Sequence, residues 1–239
     1  FKLLEKKDIV TSGIEEHADR LTATAHIITA RGNNQVPAFS VGAMGYPTIS
    51  HIPKDNPAQT FVVISAGNIK DMQRYASECQ TANVPYLFDP GQKLSALSKE
   101  ELMQMLRGAA YCIVNDYEYQ LMLQKTSLSH DGLVGMVTNA FVVTKGHEGS
   151  VAWSAQHGEE RVGICTSVSV VDPTGAGDAY RAGFLKAIFH NMSLRQVMQC
   201  SATAAAFAIE HIGTQQHHFT IDEFCARYHE AFHEPIALE

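Results

Sequence analysis

Residues 172–178 read Asp-Pro-Thr-Gly-Ala-Gly-Asp, and this turn decides the interpretation of the chain. It follows a strand-like run that ends with Val168, Val170 and Val171, and the apolar residues after it are spaced as in a helix. A glycine-rich turn between a strand and a helix leaves the first N–H groups of the helix without partners, and the helix dipole adds partial positive charge there. The pattern therefore predicts an anion site, suited to phosphate, at the start of the helix.

Asp178, the last residue of this turn, indicates chemistry as well as binding. A carboxylate is a poor group for holding phosphate, but it can take the proton from a hydroxyl that attacks phosphate. Gly175 and Gly177 let the backbone approach the phosphoryl group, and with Ala176 they are expected to donate N–H groups to it. The alternative is a tight structural turn in which Asp178 only stabilises the helix. The turn lacks the Gly-Lys-Ser/Thr of a Walker A loop, and Tyr180 replaces the third glycine of a dinucleotide fingerprint.

Strand-like and helix-like segments alternate along the chain with short connections, which predicts an α/β fold with a mostly parallel central sheet. In such sheets the ligand lies beyond the carboxyl ends of the strands. Four polar residues follow or end apolar strand-like runs, namely Asp89, Asn115, Thr144 and Asp172. We therefore expect these four residues to share one site.

Other segments fill in the predicted architecture. Thr22–Ala30 and Val36–Val41 read as two extended runs joined by a turn at Gly32-Asn33. Gly149–Ser154 and Arg161–Val171 read as an antiparallel pair. Capping boxes that predict helix starts occur at Ser98, Ser193 and Thr220.

Composition limits the classes of function. A chain of 239 residues with 45% apolar content can bury one substantial core. The net charge of −7 and the absence of a Lys/Arg cluster argue against nucleic-acid binding and against acidic membranes. No apolar run approaches the roughly 20 residues that span a bilayer. Five scattered cysteines without a Cys-x-x-Cys pair favour reduced thiols and a cytoplasmic protein.

A second motif points to different chemistry. His229-Glu-Ala-Phe-His233 fits the His-Glu-x-x-His pattern of zinc proteases, in which two histidines on one helix face bind the metal. That site needs a third ligand, usually well downstream, and only residues 234–239 follow. A zinc enzyme that uses His229 and His233 is therefore a remote alternative.

Three motifs, in order along the chain, resemble the ribokinase-like carbohydrate and nucleoside kinases of the PfkB family. Residues 172–184 are similar to the second signature of the family. Asn115-Asp-Tyr-Glu118 resembles its Asn-x-x-Glu element, and Thr144-Lys-Gly-His-Glu-Gly149 resembles its Thr-x-Gly nucleotide-binding turn. The resemblance implies a ribokinase-like fold, with helices on both faces of a mostly parallel sheet and part of a small β lid.

The resemblance also implies an activity and a set of site residues. The activity is transfer of phosphate from ATP to an alcohol group of a sugar or nucleoside, with Asp178 as the general base and residues 175–177 as the anion hole. Arg181, on the same helix face as Asp178, either neutralises phosphate oxygens or makes a structural ion pair. The implied nucleotide contacts are Thr144, Gly146 and Gly149.

Two metal sites follow from the same resemblance. Asn115 and Glu118 are implied to hold Mg²⁺ through bound water; the alternative is that they only cap a helix. Asp172, Thr174 and Gly213 correspond to a site for a monovalent cation such as K⁺.

The N-terminal part departs from the family pattern. The family's first strand, its Gly-Gly element and its substrate-binding aspartate have no match, and Phe1 is not an initiator methionine. We therefore expect one kinase domain over residues 1–239 that is incomplete at its N-terminus, with residues 20–45 as a partial lid. A non-catalytic nucleotide- or sugar-binding remnant is the alternative to an active kinase. Within the family, Val171-Asp-Pro-Thr and Phe88-Asp-Pro-Gly-Gln most resemble members named adenosine kinase or general carbohydrate kinase. The resemblance therefore ranks adenosine-like nucleosides and simple sugars equally, and a homodimer through the lid stays open.

Overall fold

A computed structural model describes residues 2–29, 35–166 and 169–238. The chain divides into two compact units, one formed by Phe1–Tyr86 with Pro90–Met105 and the other by Leu87–Asp89 with Leu106–Glu239. No helix within the described ranges is long and apolar enough to cross a membrane. The expectation of a single kinase domain stays a prediction.

The N-terminal part of the chain carries a short helix and a two-stranded antiparallel sheet. Helix α1 is Lys2–Glu5, and strands β1 (Thr24–Thr29) and β2 (Gln35–Ser40) pair from Thr24 opposite Ser40 to Thr29 opposite Gln35. This hairpin is the small antiparallel sheet expected within residues 20–45. The predicted turn at Gly32-Asn33 lies outside the described residues.

A six-stranded sheet is the centre of the fold, and its strands follow one another in chain order. They are β3 (Val62–Ile64), β4 (Tyr86–Phe88), β5 (Tyr111–Asn115), β6 (Ala140–Thr144), β7 (Ser150–Ser154) and β8 (Gly158–Val162). Strands β4, β5 and β6 are parallel, whereas β7 and β8 are antiparallel to their neighbours. β4 and the first four residues of β6 are buried throughout, which explains their continuous apolar sequences.

The last strand differs from its prediction. The sequence indicated Arg161–Val171, but β8 begins at Gly158 and ends at Val162. Because β8 is the edge strand and mostly exposed, polar residues such as Glu159 and Glu160 can form it, and the apolar pattern was misleading. Of the predicted run, residues 169–171 form no strand, and Val168 lies outside the described residues.

Helices connect and cover the strands. They are α2 (Ile69–Ala82), α3 (Lys99–Leu106), α4 (Asp116–Thr126), α5 (His130–Val134), α6 (Ala176–Phe189), α7 (Leu194–Ile209) and α8 (Ile221–Phe232). The predicted capping boxes at Ser98, Ser193 and Thr220 are confirmed by reciprocal hydrogen bonds with the residue three positions later.

Helix α6, which carries the 172–178 turn at its start, is fixed by buried contacts. Gly183 packs so closely on α7 that an added Cβ would lie 2.7 Å from the carbonyl oxygen of Cys200. The buried hydroxyl of Tyr180 donates a hydrogen bond of 2.8 Å to Ser150 on β7. These contacts pack α6 against α7 and β7.

Candidate active site

Three of the four predicted strand-end residues lie at the same end of the central sheet. Asp89 follows β4 directly, and Asn115 and Thr144 are the last residues of β5 and β6, where they are paired across the two strands. The prediction that Asp172 also follows a strand is wrong, because no strand is found in the described residues directly before it. The N–H groups of Val171 and Asp172 donate instead to the carbonyl oxygen of Ile209 at the end of α7, at 2.8 and 3.1 Å.

Asp172 ties the glycine-rich turn to a second loop. Its Oδ1 accepts the N–H of Thr174 at 2.9 Å, and its Oδ2 accepts the N–H of Gly213 at 3.0 Å. Hydrogen bonds from the side chain of Thr174, the N–H of Gly213 and the N–H of Thr174 hold the pKa of Asp172 below its ordinary value. The three residues expected to form a monovalent-cation site are therefore brought together.

The turn presents fewer free N–H groups than the sequence indicated. Gly175 has φ +87°, which favours glycine, and an added Cβ would lie 3.1 Å from the side chain of Thr214. The N–H of Ala176 donates to the carbonyl oxygen of Pro173 at 3.2 Å, so it is already engaged. Within the described ranges, the N–H groups of Gly175 and Gly177 have no protein acceptor. Of the three N–H groups expected to form the anion hole, that of Ala176 is therefore engaged, and those of Gly175 and Gly177 remain available.

Asp178 lies in the first turn of α6 and its carboxylate faces solvent, with 69% of the side chain exposed. Nη2 of Arg181 donates to Oδ1 of Asp178, and Nη1 of the same guanidinium donates to Oδ2 of Asp89. Arg181 is 19% exposed and Asp89 only 6%. Burial lowers the pKa of Arg181 from its ordinary value. The structure thus contains the ion pair that the sequence left open for Arg181.

Asn115 and Glu118 form a helix cap. The N–H of Glu118 donates to Oδ1 of Asn115 at 2.8 Å, and the N–H of Asn115 donates to Oε2 of Glu118 at 2.9 Å. Burial raises the pKa of Glu118 despite these bonds. In the part of the chain that the structure describes, no three His, Cys, Asp or Glu residues come close enough to bind a metal ion by themselves. These two residues therefore fit contact with a hydrated cation better than direct coordination.

Thr144, Gly146 and Gly149 lie in the connection from β6 to β7. The hydroxyl of Thr144 donates to the carbonyl oxygen of Val114 at 3.4 Å. Gly149 has φ +86°, and an added Cβ would lie 2.1 Å from the carbonyl oxygen of Val162, so the turn itself requires glycine there. Gly146 has φ +55°, but a Cβ there would meet no atom within 4 Å. Gly146 therefore has open space beside its backbone.

In the part of the chain that the structure describes, the zinc motif belongs to no cluster of three metal-ligating side chains. Helix α8 ends at Phe232, and His233 follows it in the left-handed conformation with φ 57°. The two histidines are therefore not on one helical face, and Nδ1 of His229 lies 3.3 Å from the carbonyl oxygen of Glu234. The remote zinc alternative is contradicted by this geometry.

The first unit contains a cavity that the sequence did not indicate. Its volume is about 310 Å³, and its lining includes Met44, Pro47, Ile69, Lys70 and Lys93. Nζ of Lys93 also lies 5.6 Å from the centre of the Phe39 ring on β2. Apolar and cationic residues from separate segments form this lining, and no single motif contains them.

The chain is similar to known proteins of one family. The model of the pfkB family of carbohydrate kinases matches residues 1–220. The nucleoside kinase of Methanocaldococcus jannaschii is 30% identical over 226 residues, which cover 95% of this chain and 73% of the relative.

Solved structures agree with this match. The nucleoside kinase of Burkholderia thailandensis, in complex with inosine, superposes with a TM-score of 0.88 at 28% identity, covering 98% of this chain and 78% of that one. Its complex with ADP-inosine gives 0.87 at 28% identity, covering 98% and 72%. The structure of the M. jannaschii enzyme gives 0.87 at 30% identity, covering 96% and 75%. These neighbours confirm the predicted ribokinase-like fold.

Proposed function

The chain belongs to the pfkB family of carbohydrate kinases, and from this premise we propose that Asp178 is the general base of a nucleoside kinase. Membership makes the protein an ATP-dependent phosphotransferase that acts on an alcohol group of a nucleoside or sugar. This assignment of the base depends on the start of α6. There the exposed carboxylate of Asp178 directly follows Gly175 and Gly177, whose N–H groups have no protein acceptor among the described residues.

The proposed reaction is a single displacement at phosphorus. The acceptor hydroxyl oxygen forms a bond to the γ-phosphorus of ATP, and the bond from that phosphorus to the ADP oxygen breaks. The hydroxyl proton passes to the carboxylate of Asp178, which afterwards releases it to water. The N–H groups of Gly175 and Gly177 and the dipole of α6 stabilise the negative charge on the transferred group.

Mg²⁺ fits this site through its hydration shell. Glu118 has one carboxylate oxygen committed to the helix cap, and burial has raised its pKa, so a nearby cation stabilises its ionised form. When bound, Mg²⁺ neutralises phosphate charge. For a monovalent cation, we propose the loop junction where Thr174 and Gly213 meet Asp172.

We assign nucleotide contact to Thr144, Gly146 and Gly149 in the β6–β7 connection. Gly146 supports this role because its backbone is exposed and has room for an approaching group.

Nucleosides rank above simple sugars as acceptors. The relatives that match at 30% and 28% identity are nucleoside kinases, one of them in complex with inosine. The relatives named ribokinase match at lower identity, such as 22% for that of Bacillus subtilis. We therefore propose a purine nucleoside such as inosine as the acceptor class.

The test is ATP turnover with inosine, adenosine, ribose and fructose as acceptors, measured as ADP and phosphorylated product. We expect the nucleosides to give the highest kcat/KM. ADP formation only with sugars would contradict the acceptor class. Binding of nucleotide or nucleoside without any product would support the alternative of a non-catalytic remnant.

A further inference from the structure

Asp89, Arg181 and Asp178 form a row whose exposure increases from one end to the other. Asp89 is 6% exposed, Arg181 19% and Asp178 69%. Each carboxylate pairs with a different terminal nitrogen of the guanidinium, Nη1 for Asp89 and Nη2 for Asp178. One cation therefore joins an almost buried anion to an exposed one.

The two ion pairs differ in strength because their surroundings differ. A charge pair in a poorly solvated site is screened little, and removal of one partner leaves an uncompensated charge. A pair that involves an exposed carboxylate is weakened by water and contributes little. The contact of Arg181 with Asp89 is therefore the stable one, and its contact with Asp178 is the one that a ligand can replace.

We infer that Asp89 is a positioning residue, which holds Arg181 at the start of α6 so that Nη2 can exchange Asp178 for a phosphate oxygen of the nucleotide. This inference rests on the proposed function for the reaction, but the binding step does not need turnover. The N–H groups of Gly175 and Gly177 attract the same phosphate, which brings it to the guanidinium. The exchange also frees the carboxylate of Asp178 to accept the proton of the acceptor.

The positions of the three residues support an exchange in which Arg181 itself does not move. Arg181 is three residues after Asp178 on α6, so the ion pair of these two residues forms within one helical turn. Asp89 is 92 residues away in sequence and follows β4, so it anchors the guanidinium to the sheet and not to the helix. Arg181 therefore keeps its position when its contact with Asp178 is lost.

The test uses Asp89→Asn, which keeps the shape of the side chain and removes its charge. The readout is the affinity for a non-hydrolysable ATP analogue relative to that for ADP, measured by calorimetry without an acceptor. We expect the ratio of the two affinities to fall about ten- to a hundredfold, because a charge-assisted contact to the γ-phosphate loses its geometry. In the assay with acceptor, kcat should fall while KM for the acceptor stays constant.

Arg181→Met is the second variant, and it tests whether Asp89 acts through Arg181. We expect it to lower the affinity ratio as Asp89→Asn does, and we expect no further loss in the double variant. If Asp89→Asn does not fold, the single variant at Arg181 and the rescue variant Asp89→Glu, which keeps the charge, still give the readout.

Asp71→Asn is the matched control for stability. Asp71 is also nearly buried, and it pairs with Arg74 three residues later on α2 at 3.1 Å. We expect it to lower Tm without changing the affinity ratio. An unchanged ratio in folded Asp89→Asn, losses that add in the double variant, or a parent protein that binds neither nucleotide would overturn the inference. A parent that binds both but makes no product would contradict the proposed function alone.

Discussion

The carboxylate of Asp172 accepts the N–H of Gly213 at 3.0 Å, across 41 residues of chain. This bond and the one from Thr174 place the glycine-rich turn against the loop after α7. Because the ionised carboxylate is the acceptor, the contact is a charge-assisted one that protonation weakens. The start of α6 is therefore fixed by an aspartate other than the proposed base.

Asp172→Asn should destabilise the protein at neutral pH. The pKa of Asp172 is lowered in the folded state, so its stabilising contribution is present above the ordinary value of 3.8 and is lost as the pH falls through the folded value. The difference in urea midpoint between parent and variant should be constant from pH 8 to 5 and shrink in more acidic buffer. A variant as stable as the parent at pH 7 would contradict this account.

Gly177→Ala should separate stability from activity. The position is helical, and an added Cβ meets no atom within 4 Å, so the change should stabilise the fold by about 0.4–1 kcal/mol. A Cβ on a helix points toward its N-terminus, which is where the phosphoryl group is proposed to lie. We expect Tm to rise and kcat to fall, by about 10²-fold if the group is displaced by 1 Å. An unchanged kcat would show that the phosphoryl group does not lie beside Gly177.

Gly183→Ala is the same change further along the same helix, and it should have the opposite effect on stability. The new Cβ would lie 2.7 Å from a backbone oxygen and 2.9 Å from the Cβ of Ala204, so α6 and α7 must move apart. Such overpacking typically destabilises by about 1–3 kcal/mol. Thermal unfolding of Gly177→Ala and Gly183→Ala compares the two predicted changes in Tm directly. A higher Tm for Gly183→Ala than for the parent would refute the close packing of α6 on α7.

Glu118→Gln should change the metal requirement without breaking the helix cap. Glutamine keeps the acceptor that the N–H of Asn115 uses. Burial raises the pKa of Glu118, so its contribution to stability is present at acid pH and is lost as the pH rises through the folded value. The variant should therefore be at least as stable as the parent at pH 8, and it should need more Mg²⁺ for half-maximal activity. Identical Mg²⁺ titrations would leave Glu118 a helix cap only.

The sequence predicted those parts of the fold that depend on local patterns. The capping boxes at Ser98, Ser193 and Thr220 and the polar residues at the ends of β4, β5 and β6 required only neighbouring residues. The coming together of Thr174 and Gly213 at Asp172 was expected from the family resemblance.

The remaining features depend on contacts that no local pattern contains. The partner of Arg181 is 92 residues away, and Asp89 carried no signal beyond its place after a strand. The bond from Ala176 to Pro173 follows from the detailed path of the turn, which composition does not determine. Strand β8 was misplaced because an exposed edge strand needs few apolar residues.

The most direct measurement is the turnover of Asp178→Asn beside Asp222→Asn. Asp222 is the matched control, because it also lies in the first turn of a helix, α8. There the negative charge of an aspartate interacts favourably with the helix dipole. If Asp178 is the base, kcat of its variant should fall by roughly 10²–10⁴ with ADP affinity kept, whereas the control should stay within about twofold of the parent. If both variants turn over like the parent, Asp178 only stabilises its helix, and the proposed base is wrong.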